Sequence, residues 1–123
     1  MNTFFRFSVS VFLFAALSLS VFAHTPMRKS SPANNDVLTE SPQEISLQFG
    51  APVKLIGLVV NSANGNKTVL SPNNDEAQRE FVLPIQKLED GNYTIEWSAL
   101  GGDAHRLTGK IQFSINSAKV ATE

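Results

Sequence analysis

Two histidines, His24 and His105, are the strong nitrogen ligands of this 123-residue sequence, which has no cysteine. His24 follows Val21-Phe22-Ala23, a stretch that fits a signal-peptidase cut after Ala23. Cleavage there makes His24 the first residue of the mature chain and places a free α-amino group beside its imidazole, a pair able to chelate a transition metal. His105 stands in Asp103-Ala104-His105, after Gly101-Gly102. If the chain is extended there, residues two apart face the same way, so a carboxylate and an imidazole project together. The glycines allow the sharp turn or bulge that aims the pair out of a sheet. The candidate ligands are therefore His24 (amine and ring), His105 and Asp103, three nitrogens and one oxygen. A tetragonal set of nitrogen and oxygen donors favours Cu(II), one ion per chain, by ligand type and the Irving–Williams order. Zinc, which accepts the same donors tetrahedrally, is the natural competitor.

The rest of the chain has to bring these residues together. Residues 1–23 read as a signal peptide, with one positive charge at Arg6, an apolar run broken by serines, and a small residue at the end. Losing Arg6 with this leader leaves nine basic against eleven acidic side chains, a net charge of −2. Such a surface, without a basic cluster, argues against nucleic acid as a partner. The lack of cysteine excludes thiolate metal sites, thiol catalysis and disulfide staples, so an exported domain over 24–123 must be held by its core alone. The expectation is a soluble, extracytoplasmic, monomeric domain.

Short alternating runs separated by turn residues predict about seven strands and no helix, an all-β immunoglobulin-like sandwich. The runs are Met27–Ser30, Ile45–Phe49, Val53–Val60, Lys67–Leu70, Phe81–Ile85, Asn92–Leu100 and Gly109–Ile115. Asn64-Gly65 marks a hairpin, Pro84 marks a sheet edge, and Ser71–Gln78 reads as a loop. Tyr93 after Asp90-Gly91-Asn92 predicts a tyrosine corner, with its hydroxyl tied to the preceding turn. Tyr93 and Trp97 are expected in the core, and Met27 packed or exposed rather than bound to Cu(I). Asp75-Glu76 and Glu89-Asp90 read as surface, Arg106 as a solvated charge able to pair with Asp103, and Ser117–Glu123 as a frayed tail.

Three stretches resemble the copper-resistance protein C (CopC-like) family of exported copper-binding proteins. They are His24 with Ser30-Ser31-Pro32-Ala33 and Ile45-Ser46-Leu47-Gln48-Phe49; Leu88 through Trp97, containing Gly91-Asn92-Tyr93-Thr94-Ile95-Glu96-Trp97; and Asp103-Ala104-His105 continuing to Gly109 and Phe113. The resemblance implies a Greek-key β-sandwich in the periplasm. It also implies Cu(II) bound through the mature N-terminal histidine, the Asp-x-His histidine and the nearby aspartate, in the service of copper resistance and homeostasis. A copper-handling inner-membrane protein is the partner so implied. Three departures stand out: no methionine-rich loop, Gly50-Ala51 where some relatives carry an acidic residue, and Arg106 where proline is common. The competing functions are a mononuclear copper oxidase using the same N-terminal chelate and a metal-free adhesion or chaperone module. For the oxidase, the chain offers no aromatic platform and no further acid–base set.

Overall fold

The computed structural model describes residues 27–72 and 75–118; His24 and the leader lie outside the described residues, as do 119–123. Seven strands make up the described chain, with no helix: β1 Met27–Ser31, β2 Asp36–Leu38, β3 Glu44–Ser62, β4 Lys67–Leu70, β5 Gln78–Pro84, β6 Gly91–Leu100 and β7 Arg106–Ile115. The all-β immunoglobulin-like expectation holds, but the seven strands are not the seven read from the sequence. The runs ending at Phe49 and beginning at Val53 are one 19-residue strand, β3. The missing member is β2, three residues paired in parallel to β7.

β3 belongs to both layers. Its first half pairs with β1 and β5, and its second half with β4 and β6, beyond which lie β7 and β2. The ladder to β5 jumps between Gln48 and Val53, and that to β6 shifts between Leu55 and Gly57. These irregularities bend β3 from one layer into the other. Pro52, which has no N–H to donate, falls inside the first jump, where the ladder is already interrupted. Ile45, Leu47, Phe49 and Phe81 from one layer meet Leu58, Val60, Ile95, Trp97, Ile111 and Phe113 from the other in a single buried cluster. Alternation along each strand places these residues inward and polar ones outward. Phe49 meets Trp97 edge-on at 5.2 Å between ring centroids, and Phe81 at 5.9 Å.

The β3–β4 hairpin turns through Ala63-Asn64-Gly65, as Asn64-Gly65 predicted, with a three-residue loop in which Gly65 alone takes a positive φ, +98°. Ser117, expected to be frayed, donates through its N–H and Oγ to Asp90 Oδ2; the rest of that tail from 119 lies outside the described residues. Met27 is half-buried against the core.

The tyrosine corner is present: Tyr93 Oη donates to the Glu89 carbonyl. Burial raises the Tyr93 hydroxyl pKa above its ordinary 10.0, and the Glu89 and Asp90 carboxylates add to this. Tyr93→Phe should lose about 1 kcal/mol, the ordinary worth of one such bond. The unfolded phenol ionises at lower pH than the folded one. The tyrosine's advantage is therefore complete below pH 10 and declines as pH rises above it. Urea unfolding of both proteins at neutral and alkaline pH checks this, and a stability gap that widens with pH contradicts it.

Candidate metal centre

The site is built at the end of the sandwich where β3 crosses between layers. Lys54, just past the bend, pairs with Leu100 at the close of β6, and Leu100 with Arg106 at the start of β7. The loop Gly101–His105 therefore projects from that end. β1 begins at the same end, since Met27 pairs with Phe49 just before the bend.

The loop is a closed turn. Gly101 N–H donates to the His105 carbonyl and Ala104 N–H to the Gly101 carbonyl, each at 3.0 Å. The extended backbone expected across Asp103-Ala104-His105 is absent, because Ala104 sits at φ +63°. The two side chains converge all the same, by turning and not by strand alternation. Asp103 Oδ1 accepts the His105 backbone N–H at 3.1 Å, and Oδ2 lies 2.6 Å from His105 Nδ1, whose N–H donates to the carboxylate. A β-carbon on Gly101 would stand 3.1 Å from Asp103 Oδ1, so glycine there makes room for the carboxylate.

The pair faces solvent, with the His105 side chain 81% and that of Asp103 50% exposed. The hydrogen bond from the His105 ring, followed by that from its backbone N–H, holds the Asp103 carboxyl below its usual range. Asp103 is thus an anion wherever the chain is folded at neutral pH, and the side chain it meets is His105. Arg106 is exposed and makes no ion pair with Asp103. Among the described residues, no group of three His, Cys, Asp or Glu side chains is placed to hold a metal. An ion at Asp103 and His105 needs donors from elsewhere, and His24 lies outside the described residues. Sequence reasoning found Asp103 and His105 but not the left-handed Ala104 or the close approach at Gly101.

The profile of the CopC domain matches residues 27–116, most of the chain. The chain belongs to the CopC domain family. Among curated relatives, Protein YobA of Escherichia coli K12 is 29% identical over 115 residues, covering 89% of this chain and 93% of its own length. Copper resistance protein C of Escherichia coli is 27% identical over 115 residues, covering 84% and 90%. Copper transport protein CutJ of Bacillus subtilis is 28% identical over 102 residues, which are 79% of this chain but 19% of CutJ. Among solved structures, CopC from Methylosinus trichosporium OB3b superposes with a TM-score of 0.68 at 25% identity, covering 76% of this chain and 94% of its own. The CopC fold and membership of the family are therefore established, and the resemblance to the copper-resistance protein C family is borne out.

Proposed function

We propose that this CopC-family chain is exported to the periplasm, loses residues 1–23, and as a monomer holds one Cu(II) that it buffers or delivers. The mature domain, 24–123, would bind through the amine and ring of His24, the ring of His105 and the carboxylate of Asp103. The observation that carries this reading is the exposed Asp103–His105 contact at 2.6 Å. Two donors at right angles, each about 2.0 Å from an ion, stand about 2.8 Å apart. The pair is thus spaced for adjacent corners of one tetragonal site, with the metal taking the place of the shared proton.

Topology supports the other half. His24 precedes Met27 by three residues, a reach of about 10 Å, and Met27 enters β1 at the end that carries the loop. The neighbours Gly101, Gly102, Ala104 and Leu107 carry no acid–base group, which favours binding over turnover. A copper-handling inner-membrane protein is the proposed partner. CutJ, named for copper transport, carries a domain of this kind as a small part of a longer chain.

Titration of Cu(II) into the protein beginning at His24, followed by Trp97 fluorescence and electron paramagnetic resonance, tests the reading. One tetragonal ion per chain is expected at pH 7. Between pH 7 and pH 5 the affinity should fall roughly 100-fold or more, because amine and imidazole bind only when deprotonated and ordinarily titrate near 8 and 6.5. Asp103, already held in its charged form, contributes little to that loss. No binding at pH 7, or equal affinity at both values, defeats the proposal.

A further inference from the structure

The outer face of the β3–β6–β7 sheet carries a groove next to the donor loop. Cross-strand partners point to the same side of a sheet, so outward rows can be followed away from the loop. Lys54, Leu100 and Arg106 form the first row, Gly57, Ser98 and Thr108 the second, and Val59, Glu96 and Lys110 the third. The second and third rows line a groove of about 370 Å³. At its far end Lys110 and Glu96 neutralise each other, with Nζ 3.4 Å from Oε1.

Nothing in the fold demands the glycine at the near end of this groove. Gly57 sits inside a strand, where glycine costs stability against alanine. Its φ is not left-handed; among the described glycines Gly65 and Gly91 take that conformation. A β-carbon at 57 would meet Ser98 Oγ at 3.5 Å, an ordinary contact. Backbone and packing would both accept alanine, and its one clear effect would be to fill the groove floor. A strand glycine free of both demands marks a close approach by a ligand or another chain.

The first row supplies charge. Lys54 and Arg106 are exposed, with half-buried Leu100 between them, and stand about 10 Å apart across β6. Neither meets a carboxylate among the described residues. Arg106 directly follows His105, where a positive charge repels a metal cation and so does nothing for metal binding alone. On a chain with eleven acidic side chains against ten basic, this rim is a local positive spot whose complement is an acidic partner.

We propose that this groove is the docking site for an acidic protein segment. An apolar side chain of the segment seats over Gly57 beside Val59, and its carboxylates meet Lys54 and Arg106. A partner so held stands next to Asp103 and His105. Its part in copper transfer rests on the copper reading above, whereas the docking itself needs no metal.

The probe is a blocked hexapeptide of alternating leucine and glutamate, titrated into the metal-free chain beginning at His24 and followed by backbone amide shifts. The shifts should concentrate at 54–59, 98–100 and 106–110 and weaken as salt rises from about 20 to about 200 mM. A peptide with glutamine for glutamate should produce none. Lys54→Gln and Arg106→Gln should each weaken binding about 2–5-fold, the range for one exposed ion pair. Gly57→Ala should keep or raise the wild-type Tm and leave the Cu(II) dissociation constant unchanged. It should weaken the peptide about 4-fold or more, the worth of one methyl group of lost contact. A glutamate peptide that leaves this face unperturbed, or binds Gly57→Ala as well as the wild type, overturns the proposal. So does a lowered Tm in Gly57→Ala, which gives the glycine a packing role. Binding to phosphatidylglycerol vesicles in place of the peptide assigns the face to a membrane and overturns it too. If the wild type binds no Cu(II), the copper reading fails by itself, and the peptide shifts still decide the docking.

Discussion

One extra residue ahead of His24 should weaken Cu(II) binding by about 100-fold or more, because it removes a primary nitrogen donor and its chelate ring. In the cut chain the α-amine and the imidazole of one residue can grip a metal together. Extension turns that amine into an amide, whose nitrogen offers no lone pair at neutral pH, and leaves the ring to bind alone. The loop supplies Asp103 and His105 in either form, so some residual binding is expected. Competition titration against a chelator of known affinity measures the difference, and the paramagnetic spectrum should show one nitrogen fewer. Equal affinities in the two proteins remove His24 from the site, whatever the fate of Asp103 and His105.

Gly109→Ala should destabilise the fold by about 3 kcal/mol or more, at or beyond the upper end for overpacking. Gly109 of β7 stands opposite Trp97 of β6. A β-carbon there would lie 2.5 Å from Cε2 and Cζ2 of the indole and 2.6 Å from Nε1. The ring cannot easily retreat, since it is buried and wedged against Phe49, which in turn meets Phe81. The indole N–H is buried without a hydrogen-bond partner, so close fit against the glycine takes precedence over a polar contact here. For a domain of this size the change corresponds to a fall in Tm of roughly 12–24 °C. Thermal unfolding read by Trp97 fluorescence decides it; a Tm within about 2 °C of wild type means the ring has room that the packing denies.

The strands that face the core on one side and water on the other were legible, because alternation is written in residue types: Tyr93-Ile95-Trp97-Ala99 and Ile111-Phe113-Ile115 are buried as expected. Gly50-Ala51-Pro52 hid the unity of β3. A proline ordinarily ends a central strand, but here its missing donor coincides with a change of partner. β2 was invisible because three residues carry almost no periodicity. It is fastened by its flanks, where Asn35 N–H donates to the Gln112 carbonyl and Asn116 N–H to the Leu38 carbonyl. At the site, the identities of Asp103 and His105 signalled their chemistry. Their route to each other did not show, since alanine gives no hint of a left-handed backbone.

β3 also bears on how a chain without cysteine is held together. A sandwich whose leaves are joined only by loops can shed one leaf while the other persists. Here the leaves share a spine of continuous main chain, laddered to β1 and β5 on one side of the fold and to β4 and β6 on the other. Peeling either leaf means unzipping the strand that organises its twin, which couples the opening of one leaf to that of the other. The fold of that spine lies beside the Gly101–His105 loop, where the two leaves are joined by continuous main chain. A cargo ion held there would be released by chemistry at its ligands and not by loosening of the protein around it.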